Sequence, residues 1–254
     1  MSKAILWEER DSTAIITINR PAHRNAINDD VRLGLFDAFR RFEQDDRLRC
    51  AVLTGAGEQA FCAGMDLKMM ADMPAKPFPR DYLPVIGTSL NLSKPTICAV
   101  NGIAVAGGWL FAQMCDLCVA ADTARFGITE ARVGRGMPWA APLAHMLPQR
   151  VFMELLLTGE LIDAQRSLEV GFVNRVVPQA ELLPTALAMA DRIAANAPLT
   201  VKAARELVYL STEMGRSAAL KAADHLFDRV YRSRDAIEGP TAFKEKRTPR
   251  WQGC

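Results

Sequence analysis

Three absences narrow what this 254-residue chain does. No charge of either sign dominates: 31 Lys and Arg stand against 29 Asp and Glu, a formal net charge of +2. A nucleic-acid surface gathers basic residues in excess, so that class of partner is excluded, although a local basic patch for a phosphorylated cofactor is not. Nor does any stretch reach the roughly 20 apolar residues of a membrane span. The opening Met1-Ser-Lys-Ala-Ile-Leu-Trp-Glu-Glu-Arg10 has too short an apolar run for a signal peptide and meets acids at once, so a cytoplasmic protein is expected. Finally, Gly-x-Ser-x-Gly, a Walker A loop and a full Gly-x-Gly-x-x-Gly are all missing, with Gly134-Arg-Gly136 only a fragment of the last. Serine hydrolase, nucleotide triphosphatase and dehydrogenase readings therefore fall away. Cys115-Asp-Leu-Cys118 has redox or zinc spacing without a second pair, so the six cysteines read as reduced, no metal is expected, and no repeat or low-complexity tract is visible.

What is present is a large core-forming potential, with 50% hydrophobic residues in a length that suits one large domain or a core with an appendage. Two stretches share one pattern. The apolar run Pro95-Thr-Ile-Cys-Ala-Val100 reads as a buried strand ending at the turn signal Asn101-Gly102, and Gly107-Gly108 then opens a helical pattern from Trp109 to Cys115. Likewise Cys50-Ala-Val-Leu-Thr54 leads to Ala60-Phe-Cys-Ala-Gly-Met-Asp-Leu-Lys68, which turns at a glycine into a helical pattern. Glycine allows close backbone approach, and the first N–H groups of a helix lack internal partners, so each corner favours an oxygen that carries negative charge. Each alone is equally an ordinary strand-turn-helix with glycines for packing.

The remaining elements follow from periodicity. Ala4–Glu9 and Thr13–Asn19 read as a hairpin, and Asn28 as the cap of a helix with apolar Val31, Leu35, Phe39 and Phe42. Met73-Pro-Ala-Lys-Pro-Phe-Pro79 is the segment expected to be most mobile, followed by a helical pattern through Leu90. Leu117–Ala121 is a further buried strand, Ala124–Gly127 a short extended piece, and Ile128–Val133 begins a turn or helix. Helices are expected over Val151–Thr158 and Ala164–Val170, with a strand at Val173–Val177. From Ala180 the pattern is helical to about Arg247, with breaks at Pro198 and Gly239. Strands alternating with helices imply parallel, right-handed βαβ units.

Together the two glycine corners closely resemble the signature segments of the enoyl-CoA hydratase/isomerase (crotonase) family, and the resemblance runs from Asn19-Arg-Pro21 through Phe243-Lys-Glu-Lys-Arg247. It implies an α/β fold of the crotonase-like (ClpP/crotonase) type, built of repeated ββα units with a C-terminal helical region. Residues 1–195 would form the core, and 196–254 a helical lid that builds a homotrimer or a hexamer (a dimer of trimers). It further implies an acyl-CoA or enoyl-CoA substrate, with no cofactor beyond that thioester. The backbone N–H groups of Met65 and Gly107 would bind the thioester oxygen as an enolate forms, and removing one such donor typically costs about 3–4 kcal/mol.

Hydratases of this family typically use two glutamates. The first falls three residues beyond the oxyanion glycine, here Leu110, which transfers no proton. The second lies in Phe-Gly-x-x-Glu, here Phe126-Gly-Ile-Thr-Glu130, and is present. Two carboxylates divide the work of adding water, whereas one suffices to carry a proton between two carbons, the arrangement usual in the family's Δ3,Δ2-enoyl-CoA isomerases. Leucine at 110 also dries the pocket, which raises the pKa of Glu130. The loop Val133-Gly-Arg-Gly-Met-Pro-Trp-Ala-Ala-Pro142 carries no acid, which weakens dienoyl-isomerase and dehalogenase readings. Leu110 and Trp139 would line the acyl pocket, with Arg132 and Arg135 either beside them or on the surface, and the proline-rich loop a candidate specificity element. His145 reads as a core or surface residue. For CoA, Arg24 would meet a phosphate, while groups of Ala26, Met65, Asp66, Leu67 and Lys68 meet the adenine and pantetheine arm. Phe243 and Lys246 would reach a CoA, often a neighbouring subunit's. Single-glutamate double-bond isomerisation is thus expected. The alternatives are a one-glutamate 2-enoyl-CoA hydratase and an acyl-CoA-binding subunit that has lost catalysis.

Overall fold

The computed structural model describes residues 3–71 and 76–254. The hairpin pairs β1 (Ile5–Arg10) with β2 (Thr13–Ile18). Helix α1 (Asp29–Gln44) follows, its first turn closed by the Asn28 side chain, which accepts from Val31 N at 3.0 Å. Next come β3 (Cys50–Gly55), β4 (Ala60–Cys62) and the short α2 (Leu67–Ala71), then β5 (Thr96–Val100), β6 (Ile103–Val105) and α3 (Gly107–Met114). A third set is β7 (Leu117–Ala121), β8 (Arg125–Gly127) and a 3-10 helix, Glu130–Val133. A second 3-10 helix (Pro138–His145), α4 (Gln149–Thr158), β9 (Leu161–Asp163), α5 (Ala164–Glu169) and β10 (Arg175–Val177) complete the core. The chain ends in α6 (Leu182–Ala194), α7 (Pro198–Glu213), α8 (Arg216–Tyr231) and α9 (Arg234–Glu245).

The strands form two sheets, one ordered β1-β2-β3-β5-β7-β10 and the other β4-β6-β8-β9. Every neighbouring pair from β2 to β10 in the large sheet is parallel, as are β4-β6 and β6-β8 in the small one. Three successive units therefore each place one strand in the large sheet, the next in the small sheet, and then turn into a helix. Parallel strands buried on both faces need apolar side chains at successive positions, and β3 and β5 are buried throughout. Ile15, Val52, Ile97 and Val119 pack against Leu182, Ala186 and Leu187 of α6. Ile16, Leu53, Cys98 and Ala120 pack with Val31, Leu35 and Phe39 of α1 and Trp109 and Phe111 of α3. Each such large side chain contributes about 1.5–3 kcal/mol by leaving water.

Three expectations need correction. Sequence reasoning ran each corner directly from strand to helix, but β4 and β6 intervene, and strands of three residues are too short to show a period. The helical pattern through Leu90 does not form a helix. Pro84 lacks an N–H, Gly87 has φ +83°, and the Ser89 hydroxyl takes Val85 N at 2.8 Å, offering the backbone a turn instead. Nor does the tail break at Gly239. α9 runs through Gly239-Pro240, and the breaks fall at Gly215 and Ser233, each the N-cap of the next helix. Gly239 serves packing, since a Cβ there would meet the Trp251 ring at 3.3 Å. Within the proline-rich loop, Met73 to Ala75 lie outside the described residues, while Phe78 stacks on Tyr82 at 4.5 Å.

The tail is fastened at defined points. Asp116 accepts from Thr96 N, Arg205 Nε and the Tyr209 hydroxyl at 2.7–2.8 Å, which docks α7. Gln252 N and Gly253 N donate to the buried Asp235 carboxylate. In contrast, α8 has no buried residue, and Leu220, Tyr231, Ile237 and Phe243 are exposed. Among the described residues no helix is long and apolar enough to cross a membrane, and no three or more His, Cys, Asp or Glu are grouped to hold a metal ion.

Candidate active site

The three units converge where β4, β6 and β8 lie side by side and end. Met65 follows β4, Gly107 follows β6, and Glu130 follows β8. The first two corners touch. A Cβ on Gly64 would come within 2.9 Å of Ala106 Cβ and 3.3 Å of Gly107 N, and one on Gly107 would lie 3.9 Å from Met65 N. Ile27 locks the first corner as a parallel bridge, donating its N–H to Gly64 O at 2.8 Å and accepting Asp66 N at 2.9 Å. That pattern uses the groups on either side of Met65 N and leaves it undonated. Gly107 N is the first N–H of α3. Among the described residues neither N–H has an acceptor, so two adjacent donors are free for one oxygen.

Backbone strain sits beside this pair. Ala106 has φ 51° and ψ −124°, a conformation suited to glycine, which costs about 1–3 kcal/mol. It is held because Ala106 N donates to Gly127 O at 3.0 Å while Leu110 N donates back to Ala106 O. Gly108 lies closer still to its neighbour, leaving no room for any side chain against the Cys62 carbonyl.

Glu130 opens the 3-10 helix Glu130–Val133 and is 8% exposed. Its Oε1 accepts from Trp139 Nε1 at 2.7 Å, and its buried Oε2 has no partner among the described residues. Burial pushes the carboxyl pKa up, opposed by the Trp139 hydrogen bond and by the N–H groups of Glu130 and Thr129. Leu110 is buried and joins one apolar cluster with Met65, Met137, Trp139, Val85 and Ile86. The raised pKa expected of Glu130 is found, with burial of the carboxyl as its cause. An uncommitted carboxyl oxygen and a pair of uncommitted N–H donors can remove a proton from carbon while holding the charge that develops on oxygen.

The other expected residues divide. Asp66 pairs with Arg20 at 3.3 Å; burial pushes its carboxyl up, but Arg20 and the Lys68 and Met69 N–H groups hold it below its ordinary value. Ala26 is half-buried with its carbonyl taken by Arg20 Nη1 at 2.6 Å, while Leu67 and Lys68 are exposed on α2. Arg24, in a left-handed conformation (φ 51°), accepts Ala63 N on its carbonyl and extends its side chain to the surface. These residues lie together beside the first corner. Phe243 and Lys246 are exposed on α9 and its cap and make no hydrogen bond or ion pair with these residues among the described ones. Arg132, Arg135 and His145 are exposed.

Four residues that sequence reasoning passed over build the site. Buried Asn25 accepts Arg20 N and donates to Ala60 O at 2.7 Å, pinning the Arg20–Ala26 loop to β4. Buried Asn101 accepts Gly55 N at 3.1 Å and donates to Gly57 O, tying β5 to the end of β3. In the sequence alone, Asn101-Gly102 signals only a turn. Arg20 braces the first corner, and Gln113 on α3 donates to Trp139 O at 2.6 Å. A polar residue in the otherwise apolar run Trp109–Met114 was the available signal for Gln113.

Comparison with known proteins gives the family. The enoyl-CoA hydratase/isomerase family model matches residues 8–254, and the chain belongs to that family. It is 37% identical over 265 residues to carnitinyl-CoA dehydratase of Proteus mirabilis, covering 100% of both chains. It is 40% identical over 258 residues to enoyl-CoA hydratase EchA19 of Mycobacterium tuberculosis, covering 97% of this chain and 96% of that one. The crystal structure of an enoyl-CoA hydratase from Mycobacterium tuberculosis H37Rv superimposes with a TM-score of 0.91 at 37% identity, covering 99% of this chain and 100% of the other. The fold is the crotonase fold, and the chain is an enzyme of this family.

Proposed function

We propose that the protein isomerises the double bond of an enoyl-CoA thioester, with Glu130 carrying the proton between two carbons. The observation that carries the reading is one buried carboxylate with a free oxygen, in a chain whose buried residue at position 110 is leucine rather than a second acid. Glu130 Oε2 takes a proton from the α-carbon of a 3-enoyl-CoA. The electron pair flows into a dienolate whose oxygen is held by Met65 N–H and Gly107 N–H. Return of the proton to the γ-carbon leaves the conjugated 2-enoyl-CoA. No water enters the chemistry, and no cofactor beyond the CoA thioester is required. Arg24 and Lys68 approach the nucleotide end, and backbone groups near Ala26, Asp66 and Leu67 the rest of the CoA arm.

A second reading, hydration of a 2-enoyl-CoA or the reverse dehydration, is favoured by the names of the hydratase and dehydratase relatives. It requires another group to orient water. The exposed apolar residues of α8 and α9 support a homotrimer or dimer of trimers in which Phe243 and Lys246 reach a neighbour's CoA. A cytoplasmic setting fits such an enzyme. The test compares the protein with Glu130→Gln in two assays, conversion of a 3-enoyl-CoA to its conjugated isomer and hydration of a 2-enoyl-CoA. Isomerisation without hydration, lost in the variant, is expected. Efficient hydration without isomerisation overturns the first reading in favour of the second.

A further inference from the structure

The carboxyl group of Glu130 is gripped at one oxygen only. An indole N–H donates and never accepts. The 2.7 Å contact from Trp139 Nε1 therefore keeps Glu130 Oε1 an acceptor whether the carboxyl is charged or neutral. When Glu130 holds a proton, the proton sits on Oε2, the oxygen without a partner among the described residues. The indole is itself fixed. Its own residue's carbonyl accepts Gln113 Nε2 at 2.6 Å, and Gln113 is buried on α3, the helix that Gly107 begins. A rigid path thus runs from the oxyanion donor along α3 to Gln113, across to Trp139 and on to Glu130. Without it, Glu130 would depend on a short 3-10 helix whose other residues, and the Gly134–Gly136 loop after it, are exposed.

We propose that Trp139, anchored by Gln113, is a positioning residue that commits Oε1 of Glu130 to the protein and thereby selects Oε2 as the oxygen that exchanges protons with substrate. Neither side chain carries a proton in the reaction. Their work is to hold Oε2 at a set distance from the Met65 and Gly107 N–H pair, where a looseness of about 1 Å costs roughly a hundredfold in rate. The assignment rests on Glu130 being the proton carrier. The indole bond also favours the carboxylate, so removing it moves the titration of Glu130 to higher pH.

The contact is readable without turnover. The chain has four tryptophans, so a proton–nitrogen correlation spectrum shows four indole cross-peaks. The one absent in Trp139→Phe is expected to titrate with pH in the wild type and to lose that titration in Glu130→Gln. In kinetics, Trp139→Phe keeps an aromatic ring in place, so kcat is expected to fall at least tenfold. KM should stay within about twofold, with the acid limb of the pH profile moved up. Gln113→Leu leaves the indole present but loosens it, giving a smaller fall of the same kind. An indole signal indifferent to pH, or one that still titrates in Glu130→Gln, overturns the contact. An unchanged kcat and pH profile in Trp139→Phe overturns the positioning role. If the indole follows Glu130 while neither assay shows turnover, the contact is supported and the reaction proposed above is the part that fails.

Discussion

The closest approach in the fold makes the sharpest prediction. Gly108 is the second residue of α3, and an added Cβ would overlap the Cys62 oxygen and lie 2.8 Å from its carbonyl carbon and 3.1 Å from its Cβ. The nearest two are backbone atoms at the end of β4, so no flexible side-chain tip can swing aside. Restoring an ordinary C···O contact of about 3.3 Å requires α3 and β4 to separate by roughly 1 Å or more. Gly107, one residue earlier, moves with the helix, and its N–H leaves the position it shares with Met65 N. Overpacking of this kind costs about 1–3 kcal/mol of stability. Misplacing a reacting group by about 1 Å costs roughly a hundredfold in rate, and losing an oxyanion donor costs about a hundred- to a thousandfold.

Gly108→Ala is therefore expected to fold with a lowered unfolding midpoint and to lose at least a hundredfold in kcat. The assay is turnover of the better of the two enoyl-CoA substrates beside thermal unfolding of the same preparation. Gly136→Ala is the control, because its Cβ would meet only Pro138 Cδ, at 3.9 Å, and both quantities should stay at wild-type values. Gly107→Ala should fall between them, since its first clash is with the flexible Ile27 Cδ1 at 2.8 Å. A Gly108→Ala protein with wild-type kcat and an unmoved midpoint would falsify the claim that this approach sets the oxyanion corner.

Three further outcomes follow from the same geometry. Ala106→Gly relieves a strained φ of 51° and should raise stability in urea by about 1 kcal/mol, partly offset by the freer unfolded chain; a loss of stability refutes the strain. Burial raises the pKa of Glu130, so the folded state binds its proton more readily than the unfolded state. Stability therefore drops as pH rises from the ordinary 4.5 through the raised folded value, and Glu130→Gln should melt above the wild type near neutral pH, the gap closing in acid. A gap that persists in acid means that this carboxylate is not what destabilises the fold. Arg24→Ala should raise KM for a CoA thioester roughly two- to fivefold, and less at high salt, with kcat unchanged. The same substitution should leave a pantetheine thioester unaffected, and an equal effect on both substrates removes Arg24 from the nucleotide end.

The sequence announced most of this fold because its parallel strands are buried on both faces and so read as continuous apolar runs, as Leu117–Ala121 does to the residue. Asn28 was legible as a cap because capping chemistry is local. Met65, Gly107 and Glu130 were picked out through the resemblance of their segments to the family's signature segments. What escaped notice depends on contacts remote in sequence. Asn25 acts through Ala60, Asn101 through Gly55, and Gln113 through Trp139, 26 residues away. Trp139 was expected as apolar lining, and it does join that cluster, but its indole N–H reaches Glu130 only because the loop after β8 folds back. The helix expected before Leu90 failed through local chemistry that was visible, Pro84 and Gly87, outweighed in the reading by apolar spacing.

The division of labour among the three corners explains which positions are free to vary. In the proposed function two corners act through backbone N–H groups, so the side chain at 65 is indifferent to the donor role and methionine serves. What those corners demand instead is absence: no Cβ at 108, and almost none at 64 and 107. The third corner acts through a side chain and depends on its surroundings, on burial for its affinity for a proton and on Trp139 for its orientation. On that proposal, enolate stabilisation is a property of the fold, carried by atoms that every residue has. The proposal leaves the choice of reaction to a few side chains along α3 and the loop after Glu130, Leu110 among them. A fold that secures the charge on oxygen leaves the fate of the proton to be set by these positions, which is how a single architecture accommodates both water addition and double-bond migration.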